Sequence, residues 1–154
     1  MLVLTVTVLL LAACTKIDLY EKVVPIPGQA WQSAFKPAFS FDISDTTAPY
    51  QLFLILRHSN RYSYNNIWIN VHRQSPDGKT STVPYELQLA TNEKGWLAEG
   101  MDDLYVHRIP LTPPANDTFY FSRAGKYTFT IEQTMREDPL QQVMNVGLRI
   151  EKKQ

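Results

Sequence analysis

The only thiol in this chain of 154 residues is Cys14, and it stands where an uncharged apolar run, Leu2 to Ala13, stops. A thiolate is among the strongest nucleophiles a side chain can offer, so it can accept a diacylglyceryl group as a thioether. Leu11, Ala12 and Ala13 lead into it. As a helix the run would rise about 18 Å, against roughly 30 Å for a bilayer's hydrocarbon core, so it is too short to span. It has the length of the apolar part of a secretory leader.

Leu-Ala-Ala-Cys resembles the lipobox of bacterial lipoproteins. The expected organisation is a signal peptide over 1–13, a lipidated Cys14 with a tether over 14–30, and a folded domain over 31–154. The competing reading is a first strand with a buried cysteine. A hydrophobic segment at the extreme N-terminus favours the leader.

Other residue types that do chemistry are sparse. The three histidines are His58, His72 and His107, and no H-x-H, H-E-x-x-H or C-x-x-C spacing occurs, so no metal site is expected. His72 and His107 are expected to project from the wet faces of separate strands. There is no G-x-S-x-G elbow. Asp102-Asp103 and Glu137-Asp138 are sequence neighbours, which on a strand point to opposite faces and make no acid–base pair. No catalytic residue, no cofactor and no enzymatic activity are expected.

The aromatics offer recognition instead. RHSNRYSYNNIW, Arg57 to Trp68, places Tyr62, Tyr64 and Trp68 beside Arg57, Arg61 and asparagines. Such a platform suits stacking on a pyranose ring or anchoring a protein partner, because aromatics and Arg are enriched in interface anchors. Arg136 in QTMRED, Gln133 to Asp138, is a further candidate contact. The plainer reading of the same aromatics is cross-strand packing, which is the commoner fate of a strand aromatic.

The elements that must position these groups are strands. Phe39, Phe41 and Ile43 alternate with Ser40 and Asp42; Ile67, Ile69 and Val71 alternate with Trp68, Asn70 and His72. YQLFLILR, Tyr50 to Arg57, is nearly all apolar, as a central strand covered on both sides would be. Tyr85, Leu87 and Leu89 form another stripe, as do Leu104 and Val106 against Tyr105 and His107. Phe119 and Phe121 lead into Tyr127, Phe129 and Ile131, and Met144, Val146, Leu148 and Ile150 form an inward set. SPDGK, Ser75 to Lys79, is a turn. Pro25 and Pro27 confine any strand in the tether to an edge. One helical turn is expected around Asp138 to Val143. About eight alternating strands predict an all-β fold, an antiparallel β-sandwich of jelly-roll or immunoglobulin-like topology. A closed eight-stranded barrel is the alternative.

Composition narrows the partners. Fifteen basic residues balance fifteen acidic ones without a block of either sign, so no nucleic-acid surface is expected. The mature chain would hold 141 residues, the 154 less the 13 of the leader, enough for one domain. With its one cysteine acylated it has no disulfide to stabilise it.

The Cys14 lipobox, LYEKVVPIPGQAW (Leu19 to Trp31), LRHSNRYSYNNIW (Leu56 to Trp68), GWLAEG (Gly95 to Gly100) and the long C-terminal stretch GKYTFTIEQTMREDPLQQVMNVGLRIEK (Gly125 to Lys152) together resemble the gliding motility lipoprotein family GldH of the Bacteroidetes, nearly end to end. The resemblance implies an envelope lipoprotein of the gliding apparatus, which in the family works alongside type IX secretion. It implies no enzyme activity and no cofactor. The partners it implies are the membrane, through lipid on Cys14, and other envelope gliding or secretion proteins; a glycan is the alternative ligand. Thr15 rather than Asp follows the cysteine and no acidic run comes after it, which points to the outer membrane and its periplasmic face.

Overall fold

A computed structural model describes residues 19–113 and 115–154. The leader 1–13, Cys14 and residues 15–18 lie outside that range. Strands in chain order are β1 (Leu19–Pro25), β2 (Ala30–Trp31), β3 (Ala38–Ile43), β4 (Tyr50–Ser59), β5 (Asn66–Gln74), β6 (Thr80–Gln88) and β7 (Ala90–Thr91). They continue with β8 (Gly95–Trp96), β9 (Glu99–Met101), β10 (Leu104–Pro110), β11 (Gly125–Gln133), β12 (Leu140–Gln141) and β13 (Val143–Lys152). Eight of the thirteen have six residues or more; seven of these are strands the period-two pattern predicts, and the eighth is β1, outside the expected domain. A single 3-10 turn, Pro27–Gln29, interrupts them.

Two antiparallel sheets form the sandwich. One has the order β1-β13-β4-β10-β9 and the other β3-β11-β5-β6. Both are open, so the closed barrel is set aside. Between them lies the core: Trp31, Phe39, Leu52, Leu54, Leu56, Ile67, Ile69, Ile131 and Leu148 are buried. Phe41 packs at 5.2–6.0 Å from the rings of Tyr20, Phe121, Tyr127 and Phe129, geometry that adds to the area buried.

Several expectations are corrected. The segment expected as a tether is a strand from Leu19 onward. β1 pairs with β13 from Leu19↔Glu151 to Pro25↔Asn145, because β13 would otherwise present an unpaired edge and because Tyr20 and Val24 pack on the core. Pro25 is the last residue of β1 and is tolerated because β1 is an edge strand. No helical turn forms at 138–143; Leu140–Gln141 pairs with Ala30–Trp31 instead. Met144 is not inward. A bulge between Val143 and Asn145 shifts the register, and Val143 takes the buried place.

β4 is central, and its outer side chains Phe53 and Ile55 are buried as well. Their cover comes from neighbouring strands of the same sheet. The Arg108 guanidinium lies 4.2 Å from the Phe53 ring centre. Gly147 sits against Ile55, where a Cβ would meet the Lys22 carbonyl and Val23 Cγ2 at 2.8 Å and Ile55 Cβ at 3.2 Å. Gly147→Ala is therefore expected to cost about 2 kcal/mol, as overpacking does. The loss should be concentrated in β1. Denaturant unfolding and amide exchange over 19–25 check this; unchanged protection there would contradict the close-packing argument.

Candidate functional site

Trp68 lies on β5 between Ile67 and Ile69, which are buried, and is itself 44 % exposed. The packing role favoured for it from sequence is not what the fold assigns. Strand β11 ends at Gln133, opposite Ile69 of β5. The chain leaving β11 therefore passes Trp68: Thr134 N–H donates to the Trp68 carbonyl at 2.9 Å, and Trp68 N–H donates to Met135 Sδ at 3.2 Å. Tyr64 enters from the loop before β5. Tyr64, Asn66, Trp68, Thr134, Met135 and Arg136 line one open groove of about 490 Å³.

The groove's walls are held from beneath. Gln133 is fully buried, and its amide organises the loop after β11. Its Nε2 donates to the Trp31 carbonyl at 3.2 Å and its Oε1 accepts from Met135 N–H at 2.8 Å. Tyr62 is buried, stands edge-on to Tyr64 at 5.8 Å, and donates to the Asn66 carbonyl at 3.0 Å. Burial pushes the Tyr62 phenol up, so it stays neutral. The Glu137 carboxylate beside Tyr64 raises that phenol's pKa. Asn66 Nδ2 donates to Glu86 at 2.9 Å. Arg136 is exposed and has no ion pair among the described residues. The groove thus offers two aromatic faces, amide and hydroxyl groups, and one uncommitted guanidinium.

Of the residues singled out in the sequence, Tyr64, Trp68 and Arg136 meet here. Tyr62 is corrected from contact to support. Arg61 is exposed and does not line the groove. Arg57 points from the outer face of the other sheet, where it lines a separate groove with Glu21, Ile55, Leu97, Val106 and Arg108. Gln133, Asn66 and Met135 complete the site although only their segments carried a signal.

His107 is corrected too. It is buried against His58, with Nε2 to Nε2 at 2.8 Å, and the pair lies under Trp96, whose ring is 4.4 Å from that of His58. The sequence held a sign of this: His58 continues the inward series Leu52, Leu54, Leu56 at the same spacing. Burial lowers the pKa of both rings, that of His107 to about 4. His72 is on the outer face as expected, bonded to Thr82 at 2.9 Å and Glu132 at 2.7 Å. No set of three or more His, Cys, Asp or Glu among the described residues could hold a metal ion. No helix among them is long and apolar enough to cross a membrane.

Residues 18–150 match the model of a family described as GldH lipoprotein. The chain is 28% identical over 153 residues to the "Gliding motility lipoprotein GldH homolog" of Christiangramia forsetii, covering 95% of this chain and 91% of that one. It is 27% identical over 162 residues to the "Gliding motility lipoprotein GldH" of Flavobacterium johnsoniae, covering 98% and 95%. Among solved structures, the VP2 subviral particle of infectious bursal disease virus overlays with a TM-score of 0.33 at 14% identity, over 86% of this chain and 30% of that one. The T13 particle of the same virus gives a TM-score of 0.36 at 16% identity, again over 86% and 30%.

Proposed function

Because the chain belongs to the GldH lipoprotein family, we propose that it is a non-enzymatic envelope lipoprotein, anchored through Cys14, that docks a protein of a gliding or type IX secretion assembly. The setting is the outer membrane, at its periplasmic face. Lipid on Cys14 fixes the module to the membrane, and the groove at Trp68 receives the partner. The observation that carries the docking role is the convergence of exposed Trp68, Tyr64 and Arg136 on one concavity. Aromatic and Arg side chains are the ones that dominate binding energy when a partner covers them. The outer sheet face beside the groove is hydroxyl-rich, with Thr80, Thr82, Thr128 and Thr130 around His72, and suits a polar interface rim.

Photo-crosslinking in native envelopes from position 64, with position 22 on β1 as the control, tests this. A partner is expected to crosslink from 64 and not from 22. Trp68→Ala and Arg136→Ala are each expected to weaken its retention about tenfold or more. Both side chains are exposed, so the fold should survive either change. Crosslinks that persist unchanged in both variants would retire the groove as the docking site.

Exposed Trp68 beside Asn66 and Arg136 also supports a second reading, a glycan as the occupant. Calorimetry with wild type and Trp68→Ala separates the two. Heat with sugar that disappears in the variant assigns the groove to a glycan, and no binding at millimolar sugar removes that reading.

A further inference from the structure

The strand register sorts the sandwich into two ends. At one, β1 begins at Leu19 opposite Glu151, β4 begins at Tyr50 opposite Lys152, and Tyr50 bridges Phe119. At the other, β4 ends at His58 and Ser59 and β5 begins at Asn66, and here lies the Trp68 groove. From the level of Gln51 to that of His58 is seven residues along β4, roughly 23 Å of strand.

Only residues 15–18 separate Cys14 from β1. Because β1 belongs to the sheet, four residues, and not the sixteen expected from sequence, lie between Cys14 and the first described strand. Five Cα steps reach at most about 17 Å, so Leu19 cannot stray far from an acylated sulfur. The surface at this end also suits a bilayer interface. Leu19 is 53% exposed and Tyr120 59% exposed, and Tyr is a residue that settles at headgroup level. The carboxylates here are engaged within the protein: Asp45 by Lys152, Asp77 by Ser75 and Arg123, Glu151 by Arg108 and Arg149. Asp117 is engaged by Gln51 and Thr112, and Asp42 stands opposite Lys126 across the β3–β11 pair. Little free negative charge is left to oppose anionic headgroups.

We infer that the Leu19–Tyr120 end of the sandwich rests on the bilayer surface and holds the Trp68 groove at the far end, aimed away from the membrane. The inference depends on acylation of Cys14, and deepens the docking role: the occupant approaches from the aqueous side, not from within the lipid.

The test uses full-length lipidated protein in phosphatidylethanolamine–phosphatidylglycerol vesicles carrying a headgroup nitroxide. With the Cys14 sulfur held as a thioether, a cysteine introduced at Tyr120→Cys or Ser63→Cys is the one labelling site for a fluorophore. Quenching is expected to be at least about threefold stronger at 120 than at 63. Intact mass and flotation are read on the same samples. Acylated, floating protein quenched equally at both positions, or more at 63, overturns the orientation and leaves the anchor standing. Unacylated protein that does not float overturns the anchor, and the orientation with it.

Discussion

Cys14→Ser is expected to release the protein from the membrane fraction, shifting its partition between membrane and solution by more than about a hundredfold. Each buried acyl CH₂ contributes about 0.8 kcal/mol, and two or more chains make an anchor stable where one is marginal. Serine keeps the size of the side chain but is far too weak a nucleophile to accept the diacylglyceryl group under the same conditions. The fold should be untouched, because among the described residues the sheet begins at Leu19. Fractionation of native-host cells, with intact mass measured on the membrane-bound wild type, decides the matter. Wild-type protein that retains residues 1–13 with a bare sulfur, or a serine variant that still sediments with membranes, would remove the anchor. Loss of function in this variant with an unaltered groove would show that the groove works only when held at the membrane.

Acidification is expected to weaken the fold well before its carboxylates titrate. His58 and His107 are both buried and hydrogen-bonded ring to ring. His58 Nδ1 faces the Ser59 carbonyl at 2.7 Å, so a neutral His58 donates there and accepts from His107 through Nε2. His107 Nδ1 then has no hydrogen bond of ordinary geometry, and the Leu97 backbone offsets its burial only in part. Tyr62, Trp96 and Tyr105 surround His58 with rings, and no carboxylate is there to balance a proton.

Burial therefore lowers both pKa values, that of His107 from 6.5 to about 4. At His107 the unfolded chain binds a proton below about pH 6.5 that the folded chain refuses until about pH 4. Stability is thus fully present above pH 6.5, falls as pH drops toward 4, and levels off below. A displacement of that size corresponds to about 3 kcal/mol for His107 alone. Asp45, Asp77, Glu132 and Asp138 have lowered pKa values, each chiefly through a hydrogen bond from a neighbouring side chain. Their contribution begins to be lost only below about pH 5, as the unfolded carboxylates start to protonate, so the upper part of the window, from 6.5 to about 5, isolates the histidines. Denaturant midpoints measured across it for wild type and His107→Phe should show a flatter profile in the variant, with His58 supplying what slope remains. Parallel profiles would mean that the pair is not responsible.

Much of this molecule is legible without a fold. Alternation in residues such as Phe39, Phe41 and Ile43 is a property of one strand, set by side chains pointing to opposite faces in turn. That local rule was enough for an all-β sandwich, for the inward faces of β3, β5 and β11, and for the turn at Ser75 to Lys79. The proposed leader and acylation of Cys14 likewise rest on composition and position alone. The segments that build the groove could be named as well, because aromatics and Arg are the types enriched in interface anchors.

What tertiary structure decided is whatever depends on register between strands distant in sequence. Along β10, Leu104 and Val106 are as apolar a set as Tyr105, His107 and Ile109, so alternation cannot say which faces in. Pairing of His107 with Leu56 and of Tyr105 with His58 decides it, since a slip of one residue would reverse every side chain. In the same way Tyr64 and Trp68 meet Arg136 only because Gln133 pairs opposite Ile69. Leu19 to Pro25 becomes a strand and not a tether because β13, more than a hundred residues later in the chain, offers it an open edge. Side-chain direction is local and can be read from order alone; which faces and edges meet is a long-range choice, made only when the sheets close on a shared core.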